Sequence, residues 1–493
     1  MKLQRFTPTI KHLEEPTIEV GESIAVPEPK MGWTLLGPYG HHSKQCEINL
    51  GLIGDAESIE KTKDQLERLK LTTYGKEKNF LHINFPGLDR LGIRFNVQWI
   101  AEISEQDIKL IENTPTLLDR VTAAGKIIRD KIKSLSDKTP TPDLIIVAYP
   151  KKVDDYCVQG AIGHKKSYKK TELEKQTEKR RAQHVTLDKL FGMEQQKEHR
   201  SVVLRSILKA AGMQHNLPIQ ILRTYTQEPY NPDRPRREDD ATTFWNLVVA
   251  AFYKTNHIPW RVRGLMKDTC YLGISFFRDR NDSSNMRTAL AQVISLDAEG
   301  FVLKGTQAII DENNAPHVSE SDAAKLVEKA VEIYKRNCGV APKRVVIHKT
   351  SRFNDEEKQG FKIGSKDIHE IDLVAFGTRS IKLVRWGHEP PVRGTMVRLP
   401  DRSVLLYTFG YIPYLEVYPG PRVPSPLEIL EHHGTTQIDA ICREILALTK
   451  LNWNNAKFCS KAPITIAFAR RVGEIIRECP ADMKLSDKLW HYM

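Results

Sequence analysis

Leu144-Ile145-Ile146-Val147-Ala148-Tyr149 is apolar at every position, so both faces of the strand it forms must be covered. Such a strand belongs in the middle of a parallel sheet with helices on either side. The sequence around it supplies those parts. Helix-period spacing over Val121–Ser136 and a proline-containing turn at Thr139–Pro142 precede it. Further upstream, Glu47-Ile48-Asn49-Leu50-Gly51-Leu52-Ile53-Gly54 reads as a strand and turn. Helical spacing from Ser58 to Leu69 follows, the β-turn-α opening of a Rossmann-like layer. Gly51 and Gly54 alone do not make a phosphate loop. Neither GxGxxG nor GxxxxGK[ST] occurs, so no nucleotide cofactor is expected.

The 493 residues have room for about two to four such units. With 40% hydrophobic and 28% charged residues the chain is neither disordered throughout nor fibrous. No apolar run approaches the roughly eighteen residues of a membrane span. Met1–Glu14 is polar, without the apolar core of a secretion signal. The seven cysteines are scattered with no CxxC pair, which argues against a disulfide framework or a structural zinc and for a reduced, cytoplasmic chain. A formal net charge of +12 has two readings, a polyanionic partner such as nucleic acid or charge spread over a large soluble surface.

A strongly basic run, His164–His184, reads as an exposed insertion, either a solvated loop or a phosphate contact. Helix-forming sequence resumes over Glu194–Gly212, the strand Pro218–Arg223 follows, Pro229–Asp240 is a surface loop, and Thr242–Lys254 is helical. A second unit starts near Lys267. Tyr271–Phe277, Ala289–Ser295 and Phe301–Ile310 read as three consecutive strands, Ser321–Asn337 as a helix and Arg344–Lys349 as a buried strand. Asn354–Phe361 is a short helix opened by an Asn/Asp cap. Strands fit Ile371–Phe376, Gly394–Leu399 and Val404–Phe409, and helices Thr436–Leu448 and Thr465–Ile476. Three antiparallel strands, a helix and a parallel strand is the order of an RNase H-like core. The fold class expected is therefore α/β, a Rossmann-like domain followed by an RNase H-like one.

Several segments resemble the prokaryotic Argonautes, in particular the short ones that keep only the MID and PIWI domains. They are Cys-Tyr-Leu-Gly273-Ile, Val345-Val346-Ile347-His348-Lys349-Thr350-Ser351-Arg352-Phe353-Asn354-Asp355-Glu356-Glu357, Leu448-Thr449-Lys450-Leu451-Asn452-Trp453-Asn454 and Pro463–Arg471. Ile258-Pro259-Trp260, Phe85-Pro86-Gly87 and Ile221-Leu222-Arg223 accompany them in order. The resemblance implies an N-terminal segment (1–45) packing on MID or a partner, a MID domain over 46–265 and a PIWI domain over 266–493. It also implies a MID pocket for the 5′-phosphate of a guide strand. Arg205 and Lys209 lie one helical turn apart and share a face, Gln220 sits on the next strand, and Lys254 ends a later helix. Two or more cations and an amide suit a terminal phosphate. The family completes this pocket with Mg2+, which Gln220 and the carboxylate of Met493 would ligate. Lys349, Arg352, Arg470 and Arg471 are expected along the guide/target backbone.

Nuclease-active PIWI domains hold two metal ions with carboxylates. The corresponding places here carry Ser275, Thr350 and Arg470, two neutral hydroxyls and a cation. Asp279, Asp355, Glu356 and Glu357 sit in a surface loop and at a helix start, where acids are expected in any case. The resemblance therefore implies a PIWI domain that does not slice. It would recognise single-stranded target DNA with a guide RNA and act through a separate APAZ-containing effector, a TIR or sirtuin-like NADase or else a nuclease, with oligomerisation on target binding. Two other readings stay open: an intrinsically active guided nuclease, and an RNase H-like interaction module without a guide.

Overall fold

The computed structural model describes residues 8–40, 45–76, 81–158, 201–230, 238–278, 286–294, 300–312, 315–379, 381–385, 387, 390–420, 423–476, 479, 483, 485–486 and 488–493. The basic run His164–His184 and Asp279 lie outside them.

The first described residues form a strap across the molecule. β1 (Thr9–His12) joins the edge of the larger sheet, whereas β2 (Ile18–Val20) and β3 (Ile24–Val26) form a small sheet of their own with β8 (Arg261–Val262). α1 (Pro29–Leu36) is capped by Glu28, whose carboxylate accepts from the Met31 amide. It buries Trp33 edge-on against Trp245, Phe252 and Trp260. This segment was expected on the first domain or a partner. In the structure it binds both halves of the chain.

β4 (Cys46–Gly54), β5 (Ile93–Glu102), β6 (Leu144–Ala148) and β7 (Ile219–Leu222) make a four-stranded parallel sheet in the order β5-β4-β6-β7. Every residue of β6 is buried, as its unbroken apolar run requires. The helices on its faces are α2 (Ala56–Leu69), capped by Asp55, α3 (Leu117–Ser136), capped by Thr116, and α4 (Ser201–Gln214). The turn from α4 into β7 is tight at Gly212, where a Cβ would come within 2.5 Å of the Leu217 carbonyl oxygen. α5 (Asp240–Lys254) carries the aromatic wall that receives Trp33.

The larger sheet has nine strands in the order β1-β16-β17-β18-β15-β14-β9-β10-β11. β9 (Thr269–Arg278), β10 (Met286–Ile294) and β11 (Gly300–Gln307) form the antiparallel meander. A short hairpin, β12 (Ile309–Ile310) with β13 (Pro316–His317), leads into α6 (Glu320–Cys338). β14 (Arg344–Lys349) then runs parallel to β9. α7 (Asp355–Gly364) follows, and β15 (Glu370–Gly377) runs parallel to β14. β16 (Thr395–Arg398), β17 (Val404–Leu406) and β18 (Leu427–His433) complete the sheet. α6 and α7 cover one face. α8 (Ile438–Leu448) and α9 (Ile464–Ile476) belong to the other, where α9 lies along β9 and β10. The expected α/β order, a Rossmann-like sheet and then an RNase H-like one, is what the structure holds. The expected strand Phe301–Ile310 is two strands, broken at Ala308.

Candidate nucleic-acid interface

Three elements converge where the two sheets meet. α4 presents Arg205 and Lys209, β7 presents Gln220, and α5 ends in Lys254. Lys254 Nζ donates to Gln220 Oε1 at 2.5 Å, and Lys209 Nζ donates to the Ile219 carbonyl. Both lysines are buried. Burial and the neighbouring Arg205 push Lys254 down to about 7, and burial with Lys254 and Arg205 nearby pushes Lys209 well below the usual lysine range. The four residues that the resemblance assigns to one pocket are thus brought into one place.

A fourth cation joins them from the RNase H-like half. Arg471 on α9, assigned from sequence to the duplex channel, belongs instead to this pocket. Burial and Arg205 lower it to about 10, and its charge depresses both lysines. Its Nη1 is a buried donor with no hydrogen-bond partner among the described residues. Glu474, one turn on, is the carboxylate that offsets Arg205 and Arg471. Arg471 shares a helix flank with Ile464, Phe468 and Ile475, all buried. A cation on an apolar helix flank signals a place near the core but not which cluster it joins.

The last residues close the pocket. The 3₁₀ turn Leu489–Tyr492 packs against α4, α5 and α9, and Met493 is 2% exposed. His491 is pushed down to about 3, first by burial and then by Lys209. Of the two expected magnesium ligands, Gln220 offers an Oε1 that accepts from Lys254, and Met493 is buried at the end of this turn.

The second cluster lies on the face of the large sheet that α9 covers. A Cβ on Gly273 would stand 2.2 Å from the Thr465 carbonyl oxygen, and one on Gly473 would stand 2.9 Å from the Phe277 ring, so helix and strand touch at both points. Eight helical residues rise roughly 12 Å and four strand residues roughly 13 Å, so α9 runs along β9 and the turn holding Ala469 and Arg470 lies over Ser275. His348 Nδ1 and Thr465 Oγ1 are 2.8 Å apart, which ties the same helix to β14. Lys349 pairs with Ile274 in register, so Thr350 follows beside Ser275. Ser275, Thr350 and Arg470 therefore gather at one end of the β9/β14 seam.

Lys349 does not join them. Strand alternation turns it to the opposite face with Val345 and Ile347, where it is fully buried and donates to both oxygens of Glu357 at 2.5 and 2.6 Å. Its expected backbone contact is corrected accordingly. Glu357, expected at an exposed helix start, is also fully buried. It reciprocates the Asn354 cap, accepts from the Val318 amide at 2.8 Å and lies 2.8 Å from His317 Nδ1. Asp355 and Glu356 are exposed as expected. Arg352 is largely exposed, with Glu431 Oε2 3.3 Å away.

No family model matches the chain, and no curated protein matches it. Solved structures do. Clostridium butyricum Argonaute bound to a guide DNA and a 19-mer target DNA superposes with a TM-score of 0.62 at 14% identity, over 97% of this chain and 54% of that one. The A. aeolicus Argonaute with externally bound siRNA gives 0.57 at 15% identity, over 98% and 56%. Drosophila Piwi gives 0.57 at 13% identity, over 98% and 56%. The fold is that of the MID and PIWI portion of an Argonaute. The chain spans about half the length of these proteins.

Proposed function

We propose that this chain is a guide-binding subunit of the short prokaryotic Argonaute type. It holds a guide RNA by its 5′-phosphate, pairs it with complementary single-stranded DNA of an invading plasmid or phage, and does not cut. The observation that carries this reading is the convergence of Arg205, Lys209, Gln220, Lys254 and Arg471 on one buried pocket. A terminal phosphate carries close to two charges and three acceptor oxygens, which matches several charged donors around one point. Magnesium, bound through Gln220 Oε1 and the Met493 carboxylate, would add positive charge at the phosphate oxygens. Lys209 and Lys254 orient the phosphate from the MID side and Arg471 from the PIWI side. Base pairing then supplies the sequence information while the protein reads backbone and helical shape.

Ser275, Thr350 and Arg470 stand where cleavage would need metal-binding carboxylates, which supports recognition without slicing. The output activity then comes from an APAZ-containing partner, a TIR or sirtuin-like NADase whose NAD depletion stops the infected cell, with assembly into a larger oligomer on target binding. Target-bound conformers need to favour the active effector by only a few kcal/mol. The same subunit coupled to a nuclease effector is the alternative.

The pocket is tested by retention of a 5′-phosphorylated RNA against its 5′-hydroxyl form. Arg205→Ala is expected to weaken retention of the phosphorylated form by roughly tenfold to a hundredfold, the worth of a charged hydrogen bond, and to leave the hydroxyl form unchanged. Equal retention of both forms by the unaltered chain would sink the assignment. The output is tested by NAD consumption of the co-purified complex with guide and single-stranded target. Intact NAD with degraded DNA would favour the nuclease alternative.

A further inference from the structure

We propose that Cys46 and His257 form a site for a thiophilic divalent cation of the zinc type, which would staple the first residue of β4 to the segment that crosses between the two halves of the chain. The inference is independent of the guided-recognition reading. Cys46 Sγ lies 3.5 Å from His257 Nε2, although 211 positions separate the two residues. After α5 the backbone turns sharply, with Asn256 in the left-handed region at a φ of 66°, and this aims the imidazole back at β4. The ring stacks on Phe252 with centroids 4.7 Å apart. Thr255 then fixes its tautomer. The one proton of the Thr255 hydroxyl is donated to the carbonyls of Ala251 at 3.1 Å and Phe252 at 3.0 Å, so its oxygen accepts from His257 Nδ1 at 3.1 Å. The lone pair of Nε2 is left facing the thiol.

A metal-ligating histidine has its second ring nitrogen held by just such a partner. A tetrahedral zinc, with bonds of about 2.3 Å to sulfur and about 2.05 Å to nitrogen, holds those two atoms about 3.5 Å apart, the separation already present. Binding forms one metal–sulfur and one metal–nitrogen bond and releases the thiol proton to solvent. Burial and then Asp143 push the Cys46 thiol up to about 11. Burial lowers His257, and Asp143 works against it by favouring positive charge. The negative field of Asp143 opposes a bare thiolate, and so a nucleophilic role, whereas a cation relieves it. Cys46 is 5% exposed and His257 only part-buried, so the ion enters from the imidazole side. Among the described residues no three His, Cys, Asp or Glu side chains converge on one point, so the protein supplies two ligands and water the others. Thiolate and imidazole select zinc over magnesium. The stapled segment matters because its Pro259 carbonyl accepts from Trp33 Nε1 at 2.9 Å and its Trp260 Nε1 donates to the Lys450 carbonyl at 2.8 Å.

The test strips the full chain with a chelator and titrates it with Co2+ or Zn2+ alone. One equivalent of Co2+ is expected to give a thiolate-to-cobalt charge-transfer band, and Zn2+ to displace it. Cys46→Ser and His257→Gln should each abolish the band. Thr255→Val keeps the shape but removes the oxygen that holds Nδ1, and it should weaken Zn2+ binding about tenfold to a hundredfold. Cys338→Ser, which removes an exposed cysteine, should leave the band unchanged. Zn2+ should raise the thermal midpoint of the unaltered chain and leave that of Cys46→Ser where it was. A melt without metal shows that each variant is folded. A band that survives Cys46→Ser, or the absence of any band from the folded unaltered chain, would overturn the site. A band lost in Cys46→Ser but kept at full strength in His257→Gln would overturn the pairing and leave a lone thiolate.

Discussion

Asp372 is fully buried, yet it accepts from Arg344 Nε at 2.7 Å, His432 Nε2 at 2.8 Å and Thr436 Oγ1 at 2.7 Å. Burial alone would raise its pKa. The hydrogen bonds from His432, Thr436 and Arg344 outweigh burial and bring it down to about 2. A carboxylate depressed in the folded state contributes stability above its unfolded value near 4 and loses it as the pH falls toward 2. Urea melts between pH 5 and pH 2 should therefore show an acid-sensitive component of about 2 kcal/mol that Asp372→Asn removes; an equally steep acid slope in the variant would refute the assignment. At this scale the sequence was partly legible. The spacing of Arg205 and Lys209 put them on one face by helical geometry alone, and the pocket contains both. Lys349 and Glu357 were misread, because charge type suggests solvent, whereas the apolar face of a strand for Lys349 and of a helix for Glu357 dictates burial and so demands a partner. Their mutual salt bridge is a fact of tertiary packing, since the ammonium and carboxylate come from different elements.

At the scale of elements, the contact of α9 with β9 does most to arrange both clusters. It depends on Gly273 having no side chain, at a strand position that ordinary β-propensity would leave to a larger residue. Gly273→Ala should push the first turn of α9 away from the strand and cost about 1 to 3 kcal/mol, typical of overpacking in a closed core. Chemical denaturation measures this, and target binding should fall along with stability. Gly473→Ala meets an aromatic ring rather than a backbone carbonyl, so it should be milder. Equal tolerance of both changes would remove the close approach as the organising contact. Most helices and central strands could be read from periodicity, because a buried face imposes its period on the sequence. β5 and β18 were passed over. β5 is an edge strand whose side chains are mostly part-exposed, so its apolar alternation is weak. β18 carries Glu428, Glu431 and His432, polar residues whose partners Arg379, the Phe353 amide and Asp372 lie far away in sequence.

For the whole molecule, the strap formed by the first described residues is the feature that sequence order least suggests. Glu15 sits between Arg393 Nε at 2.7 Å and Lys450 Nζ at 2.9 Å, and Lys450 also donates to the Pro27 carbonyl. Arg393 donates further to the carbonyls of Thr408 and Leu446, so its burial is compensated on every side. Glu15→Ala would leave two buried cations short of their counter-charge. It should lower stability by about 3 to 5 kcal/mol, the cost of breaking a buried pair, and expose the strap to limited proteolysis ahead of the rest of the chain. An unaltered melting midpoint would show that the ion pair is dispensable. By itself the sequence determined the α/β class and the order of its elements, because periodicity, capping and residue spacing are local, while the residues of the basic pocket came from the family resemblance. The tertiary structure alone decided that Arg471 joins the basic pocket, that Lys349 turns to the opposite face of its sheet, and that the strap ties β16 to the aromatic wall of α5. Those outcomes depend on contacts between segments distant in sequence, which no isolated segment encodes.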